Sequence, residues 1–221
     1  PLNPDPRTSP DGSPHVLAGP LSTTGFKGDS PALNASIAAD KFVLAAGPWS
    51  GELARLLGFQ VPVYPARGQI LIFEMKERFL SCPVLMGKDH VYYYLGPKPD
   101  GHLYAGTTVE DAGFDTKCTD EALERIGEET AAFVPRVNTL PIRGSWAGLR
   151  PATRDNLPII GRAPGWDNLY VATGHFRKGI LLSAVTGKIM ADLVLGRKPP
   201  LSIEEFSVDR FAAAKGARHV F

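Results

Sequence analysis

Long apolar runs are missing from this 221-residue chain. No stretch is long enough to span a bilayer and nothing near Pro1 has the pattern of a signal peptide, so no membrane role is expected. An excess of charge of one sign is missing too: 24 basic against 23 acidic side chains leave a net +1, too weak a field to draw nucleic acid or acidic lipid. Cysteine is scarce. Cys82 and Cys118 have neither metal-ligand spacing nor the pattern of a disulfide framework, and they read as reduced thiols of a cytoplasmic protein. No His-Glu-x-x-His, P-loop or Gly-x-Ser-x-Gly occurs, and no Ser or Cys nucleophile with an adjacent base can be picked out. No metal site is expected. Nor does a Gly-x-Gly-x-x-Gly follow a strand, so the chain by itself lacks a dinucleotide pyrophosphate site.

Glycine and proline are plentiful, at 23 and 20 residues. They crowd the opening segment together with Ser and Asp, so residues 1–35 are expected to be loop-rich or disordered. The chain opens on Pro1 rather than Met, which reads as truncation or processing. Beyond that segment the composition, 43% hydrophobic and 21% charged, suits a globular protein with a sizeable core.

The elements differ in kind along the chain. Lys41 to Gly47 is a short apolar run ending in small residues, which suits a buried parallel strand, and residues 51–57 suit a short helix closed by Gly58. Strands are expected over 61–65 and 69–74, interrupted by Ala66-Arg67-Gly68. Two more, over 91–95 and 102–107, flank a Pro/Asp/Gly hairpin turn. Thr119 can cap a helix reaching Phe133, with Ala122, Leu123, Ile126, Thr130 and Phe133 at helical spacing. Residues 142–149 read as extended and 168–173 as another buried strand. Gly179 to Leu195 is the clearest helix: Leu181, Val185, Ile189 and Leu193 recur every fourth residue, and Gly196 stops it. The order predicts an α/β fold with an α+β insert.

Three constellations can carry chemistry. The 168–173 strand runs into Gly174-His175-Phe176-Arg177-Lys178-Gly179-Ile180 and then a helix. Free backbone N–H groups and the positive dipole end at such a turn stabilise an anion, although a plain strand-to-helix turn uses the same residues. Arg150, between Leu149 and rigid Pro151, can be held still and grip a carboxylate through two parallel hydrogen bonds. A structural ion pair, for instance with Asp155, explains it equally well. His90, Tyr92 and Tyr94 share one strand face, which can line a polar pocket or form the wet side of a surface strand.

Together these segments resemble the D-amino-acid-oxidase-like family of FAD enzymes, and most closely its glycine oxidase branch. Lys41 to Ser50 is similar to that family's V-L-A-A-G-x-W-S strand, and Pro65-Ala66-Arg67-Gly68-Gln69 to its P-x-R-G-Q turn. Trp146 to Arg162 resembles W-A-G-L-R-P-x-T-x-D-x-x-P-x-I-G, and Gly174 to Gly187 resembles G-H-F-R-N-G-I-L-L-A-P-x-T-G. The likeness covers Ala39 to Leu195. It implies the C-terminal part of a two-domain FAD oxidoreductase: a remnant of a Rossmann-like FAD domain plus an antiparallel-sheet substrate domain. Residues 36–60 and 146–200 would belong to the first and 61–145 to the second, with 201–221 as a tail. The family's N-terminal βαβ fingerprint has no counterpart here.

The resemblance also implies roles. Arg150 would bind the substrate carboxylate, Tyr92 and His90 would line its pocket, and Arg177 would stand beside the flavin. Ala46, Gly47, Trp49, Gly148, Gly174, His175, Arg177, Lys178, Gly179 and Ile180 would contact FAD. Gly148 lies near the position of a flavin-linked cysteine in sarcosine-oxidase relatives, so FAD would be held without a covalent bond. The implied reaction is oxidation of glycine, sarcosine or another small amino acid by molecular oxygen, giving an imine or oxo acid and hydrogen peroxide, in formation of the thiamine thiazole. A dehydrogenase of the same family using another acceptor, and an inert fragment without the pyrophosphate site, are the alternatives. A homo-oligomer is allowed. Lys178, where the branch commonly has Asn, and Val109, where some relatives have Met, depart from the pattern.

Overall fold

In the computed structural model, residues 38–88 and 91–211 are described, so His90 and the opening segment lie outside them. Two sheets of opposite character carry the chain. In the first, β8 (Leu169–Thr173) lies between β1 (Phe42–Leu44), which is parallel to it, and β7 (Ile159–Arg162), which is antiparallel. A parallel pair needs a crossover connection; here it contains the whole second sheet. One side of the first sheet packs Leu44, Ile159 and Val171 against Ala54 of α1 (Ser50–Leu56), Phe59 and Val61. The other packs Ile160 and Tyr170 against Ile189 and Met190 of α3 (Gly179–Val194). The architecture is α/β.

The second sheet is antiparallel throughout, in the order β3 (Val84–Lys88), β4 (Val91–Pro97), β5 (His102–Gly106), β2 (Tyr64–Glu74), β6 (Ile142–Ala152). On one face Leu71, Phe73, Leu95 and Leu103 pack against Ile126 of α2 (Asp120–Phe133) and Val137. Side chains alternate between faces. The register pairs Ala66 with Arg150, Gly68 with Gly148, Ile70 with Trp146 and with Gly106, Tyr94 with Gly106, and Tyr92 with Gly87. All of these therefore stand on the opposite face. Among the described residues that face is open, with Tyr92 51% and Trp146 46% exposed.

Several expectations are corrected. Residues 64–74 form one unbroken strand rather than two, because Ala66, Arg67 and Gly68 all pair with β6; Val61 to Val63 precede the strand. β3 and β7 were not expected: each is short and carries a glycine that breaks the alternation. β6 reaches Ala152 and belongs to the antiparallel sheet over its whole length. Thr119 occupies the N-cap position of α2 without capping it. Its hydroxyl instead accepts a hydrogen bond from Gln69 Nε2, and its N–H donates to Gln69 Oε1. Phe133 is exposed.

The apolar stripe of α3 is only half used. Ile189 is buried, whereas Leu181 is 81% exposed and Val185 is also exposed, because a three-stranded sheet covers only the C-terminal half of the helix. Its end follows expectation: Gly196 takes φ +68, and Gly196 and Arg197 donate their N–H groups to the carbonyls of Leu193 and Asp192. No helix among the described residues is long and apolar enough to cross a membrane.

This division of burial can be measured by urea unfolding. Ile126→Ala, at a position 0% exposed, should cost about 2–5 kcal/mol. Leu181→Ala in the same chain should cost less than about 0.5 kcal/mol. Equal losses would mean that the start of α3 is packed as tightly as the core.

Candidate active site

Ligands in open α/β sheets bind beyond the carboxyl ends of the parallel strands. Here β1 ends in the turn Ala46 to Trp49 and β8 in the turn Gly174 to Lys178. The buried Thr173 hydroxyl ties the two together, donating to the Gly47 carbonyl at 2.9 Å and accepting from Ser50 Oγ at 3.1 Å. Gly174 has φ +76, and a Cβ there would stand 2.7 Å from Thr153 Cγ2, so only glycine fits. The Phe176 N–H donates to the Pro151 carbonyl at 2.9 Å, which fastens the second turn to the end of β6 beside Arg150.

The start of α3 is chemically bare. Lys178 is its N-cap residue; no side chain caps the first turn and no acidic residue lies in it. The N–H groups and dipole there favour an anion. His175 turns its ring along the helix, with Nε2 3.0 Å from Thr186 Oγ1, and burial pulls its pKa below the usual histidine value. Ile180 is exposed. Trp49 leans against Phe114, with ring centroids 5.6 Å apart.

Arg150 is the centre of the site. Nη2 donates to Thr107 Oγ1 at 2.7 Å and Nη1 to the Thr108 carbonyl at 3.2 Å. Both acceptors are neutral, and among the described residues no carboxylate forms a salt bridge with it. Asp155, the alternative partner, is paired with Arg210 at 2.7 Å instead. Burial is the main cause that lowers the Arg150 pKa, and the neighbouring Arg177 lowers it further; Tyr94 and Glu110 act in the opposite sense. Burial likewise lowers Arg177, offset in part by Tyr92. Burial raises the Tyr94 phenol despite Arg150. Two guanidinium groups and two phenols thus share one electrostatic neighbourhood at the junction of the two sheets. A guanidinium stays protonated in proteins, so both arginines are cationic.

Of the residues singled out in the sequence, Arg150, Tyr92, Arg177, Gly148 and the two turns come together here. Tyr94, singled out with Tyr92 as sharing one strand face, joins them. Thr107, Thr108 and Gly68 were missed. Thr107 and Thr108 had no signal, because what they do depends on the pairing of β2 with the segment after β5.

That segment is held from behind. Arg67 projects to the covered face, where Nε and Nη2 reach Glu110 Oε2 at 2.7 and 2.6 Å, and Nη1 reaches Asp115 at 3.2 Å and the Lys117 carbonyl at 3.1 Å. The backbones of Arg67 and Glu110 exchange two 2.9 Å hydrogen bonds, and the Gln69 N–H donates to Thr108 Oγ1 at 3.0 Å. Burial pushes the Glu110 carboxyl up, but hydrogen bonds from Thr108, Gln69 and Arg67 outweigh it and hold the pKa below the usual value.

Comparison with known proteins fits this arrangement. The family of FAD-dependent oxidoreductases matches residues 17–193. The chain belongs to that family. It is 41% identical to glycine oxidase from Pseudomonas aeruginosa over 164 residues, 74% of this chain and 44% of that protein. It is 38% identical to the hydrogen cyanide synthase subunit HcnC of Pseudomonas protegens over 172 residues, 77% of this chain and 40% of that one. The crystal structure of glycine oxidase from Geobacillus kaustophilus superposes with a TM-score of 0.75 at 31% identity, covering 80% of this chain and 47% of that one. The chain thus spans less than half the length of these relatives. FAD is the family's cofactor. The uncapped start of α3 suits its anionic character, and Gly148, where a Cβ would come within 3.0 Å of the Trp146 ring, presents no side chain to obstruct a flat group.

Glu110 makes the network acid-sensitive. Its folded-state pKa is depressed, so the unfolded chain binds the proton first. Its contribution is therefore complete above the ordinary value of 4.5 and lost as pH falls through the lower folded value. Glu110→Gln should unfold more readily than the parent at pH 7, and this gap should narrow on acidification. A gap independent of pH would refute the ion-paired carboxylate.

Proposed function

We propose that this chain supplies the substrate pocket and the flavin-facing turns of an enzyme that oxidises a small amino acid, glycine or sarcosine in the first instance. One observation carries the reading: Arg150 is oriented by two neutral acceptors, its charge is opposed by Arg177 and offset by Glu110 only through space, and no carboxylate among the described residues forms an ion pair with either arginine. A positive site built this way gains most from an anionic ligand, and a planar guanidinium matches a carboxylate. In this reading residues 36–60 and 153–200 belong with the FAD-binding part and 61–145 with the substrate-binding part; residues 146–152, expected in the former, lie in β6 of the antiparallel sheet and carry Arg150 to the junction.

Arg150 would bind the carboxylate with the N–H groups that Thr107 and Thr108 leave unused. Tyr92 and Tyr94 would flank it, His90 would be a further pocket residue, and Arg177 would add a second positive charge. FAD, when bound, supplies the electron-accepting chemistry. Ala46, Gly47, Trp49, Gly148, Gly174, His175, Arg177, Lys178, Gly179 and Ile180 would hold it without a covalent bond, the backbone N–H groups at the start of α3 facing negative charge. Within this cluster the protein's work is orientation and charge: fixing the carboxylate fixes the rest of a small substrate. No general base is required if the amine arrives neutral. Oxygen as acceptor, peroxide and an imine or oxo acid as products, and a place in thiamine thiazole formation follow from the likeness to glycine oxidase.

In the complete flavoprotein, Arg150→Ala should raise KM for glycine or sarcosine by an amount worth about 2–5 kcal/mol. An unchanged KM removes Arg150 from carboxylate binding. Peroxide released in air during turnover distinguishes an oxidase from a dehydrogenase that passes electrons to another carrier.

A further inference from the structure

The Arg150 guanidinium lies against the sheet over Gly68. A Cβ added to Gly68 would stand 2.1 Å from Arg150 Nη1, 2.2 Å from Nη2 and 2.4 Å from Cζ. Gly68 is on β2, on the open face, directly opposite Gly148 on β6. The side chain of Arg150, which is itself opposite Ala66, therefore runs diagonally across β2 and lays its planar end where Gly68 has no side chain. The Thr107 hydroxyl and Thr108 carbonyl meet it there. Both flank Gly68 through β2 itself, because Arg67 pairs with Glu110 and Gln69 with Thr108. Floor and acceptors are thus parts of one rigid construction.

We infer that Gly68 is the positioning residue of the site: its missing side chain sets how far the guanidinium stands above the sheet, and so where a bound carboxylate sits. The inference rests on the carboxylate-binding reading of Arg150. Any larger residue at 68 forces the guanidinium from 2.1 Å out to the 3.4 Å of ordinary contact, and off at least one of its two acceptors. The obstructed group is the far end of a flexible side chain, so the fold can survive the change while the site does not. A displacement of about 1 Å at a group that orients substrate can cost on the order of 100-fold.

The test is a double-mutant cycle on the flavin-loaded full-length enzyme, with acetate as the probe. Gly68→Ala, Arg150→Lys and the double variant are compared by isothermal titration of acetate and by thermal unfolding. KM and kcat for glycine are measured in parallel. Gly68→Ala should weaken acetate binding and raise KM by tenfold or more while the unfolding temperature stays close to the parent's. In the Arg150→Lys background, where the slim ammonium leaves the space over residue 68 empty, the same substitution should change acetate binding less than twofold. Coupling of this kind separates positioning from general damage. An equal loss in both backgrounds, or tight acetate binding by Gly68→Ala, overturns the role of Gly68. Unchanged acetate binding by Arg150→Lys instead overturns the carboxylate reading itself.

Discussion

The buried ion pair of Arg67 with Glu110 is the constraint on which the site depends. Arg67 is almost inaccessible, and a guanidinium removed from water must have its hydrogens accepted elsewhere. Glu110, Asp115 and the Lys117 carbonyl accept them, and all three lie in the connection from β5 to α2. Satisfying that one charge fastens an otherwise irregular segment along β2. The fastened segment presents Thr107 and Thr108 to the opposite face. A buried charge on one side of the sheet thereby orients a ligand-seeking charge on the other.

The two arginines divide the work by the company they keep. Arg67 has carboxylate partners and is structural. Arg150 donates only to neutral acceptors and has a like charge nearby, with Glu110 acting on it through space alone, so among the described residues no carboxylate pairs with it directly. The same logic covers α3, whose first turn has neither capping side chain nor acid and whose first apolar residues are exposed. An apolar helix stripe is normally covered along its length. The chain spans 44% of the Pseudomonas aeruginosa glycine oxidase and 47% of the Geobacillus kaustophilus one.

Much of the fold was legible. The hairpin around Gly101, helix α2 and the stop of α3 at Gly196 follow from local rules of turn chemistry, periodicity and backbone conformation. The unbroken β2 was not, because Arg67-Gly68 carries the signature of a break. It is continuous because the arginine finds partners about 43 residues along and the glycine accommodates a side chain from another strand. The burial of α3 was misjudged for the same kind of reason: periodicity marks an apolar face but not what is available to cover it.

The sequence by itself determined which residue types the chain could offer a ligand. Its motif order pointed to a flavin enzyme, and Arg150 next to a rigid proline and a glycine-rich turn before a helix are local features readable without coordinates. Tertiary structure alone decided which of these meet, and with what. Asp155 was taken by Arg210, Gly68 was placed beneath Arg150, and Thr107 and Thr108 were brought in from a distant connection. The physical reason is that a buried charge chooses its partners by three-dimensional proximity and desolvation, and neither quantity is encoded in the spacing of residues along a chain.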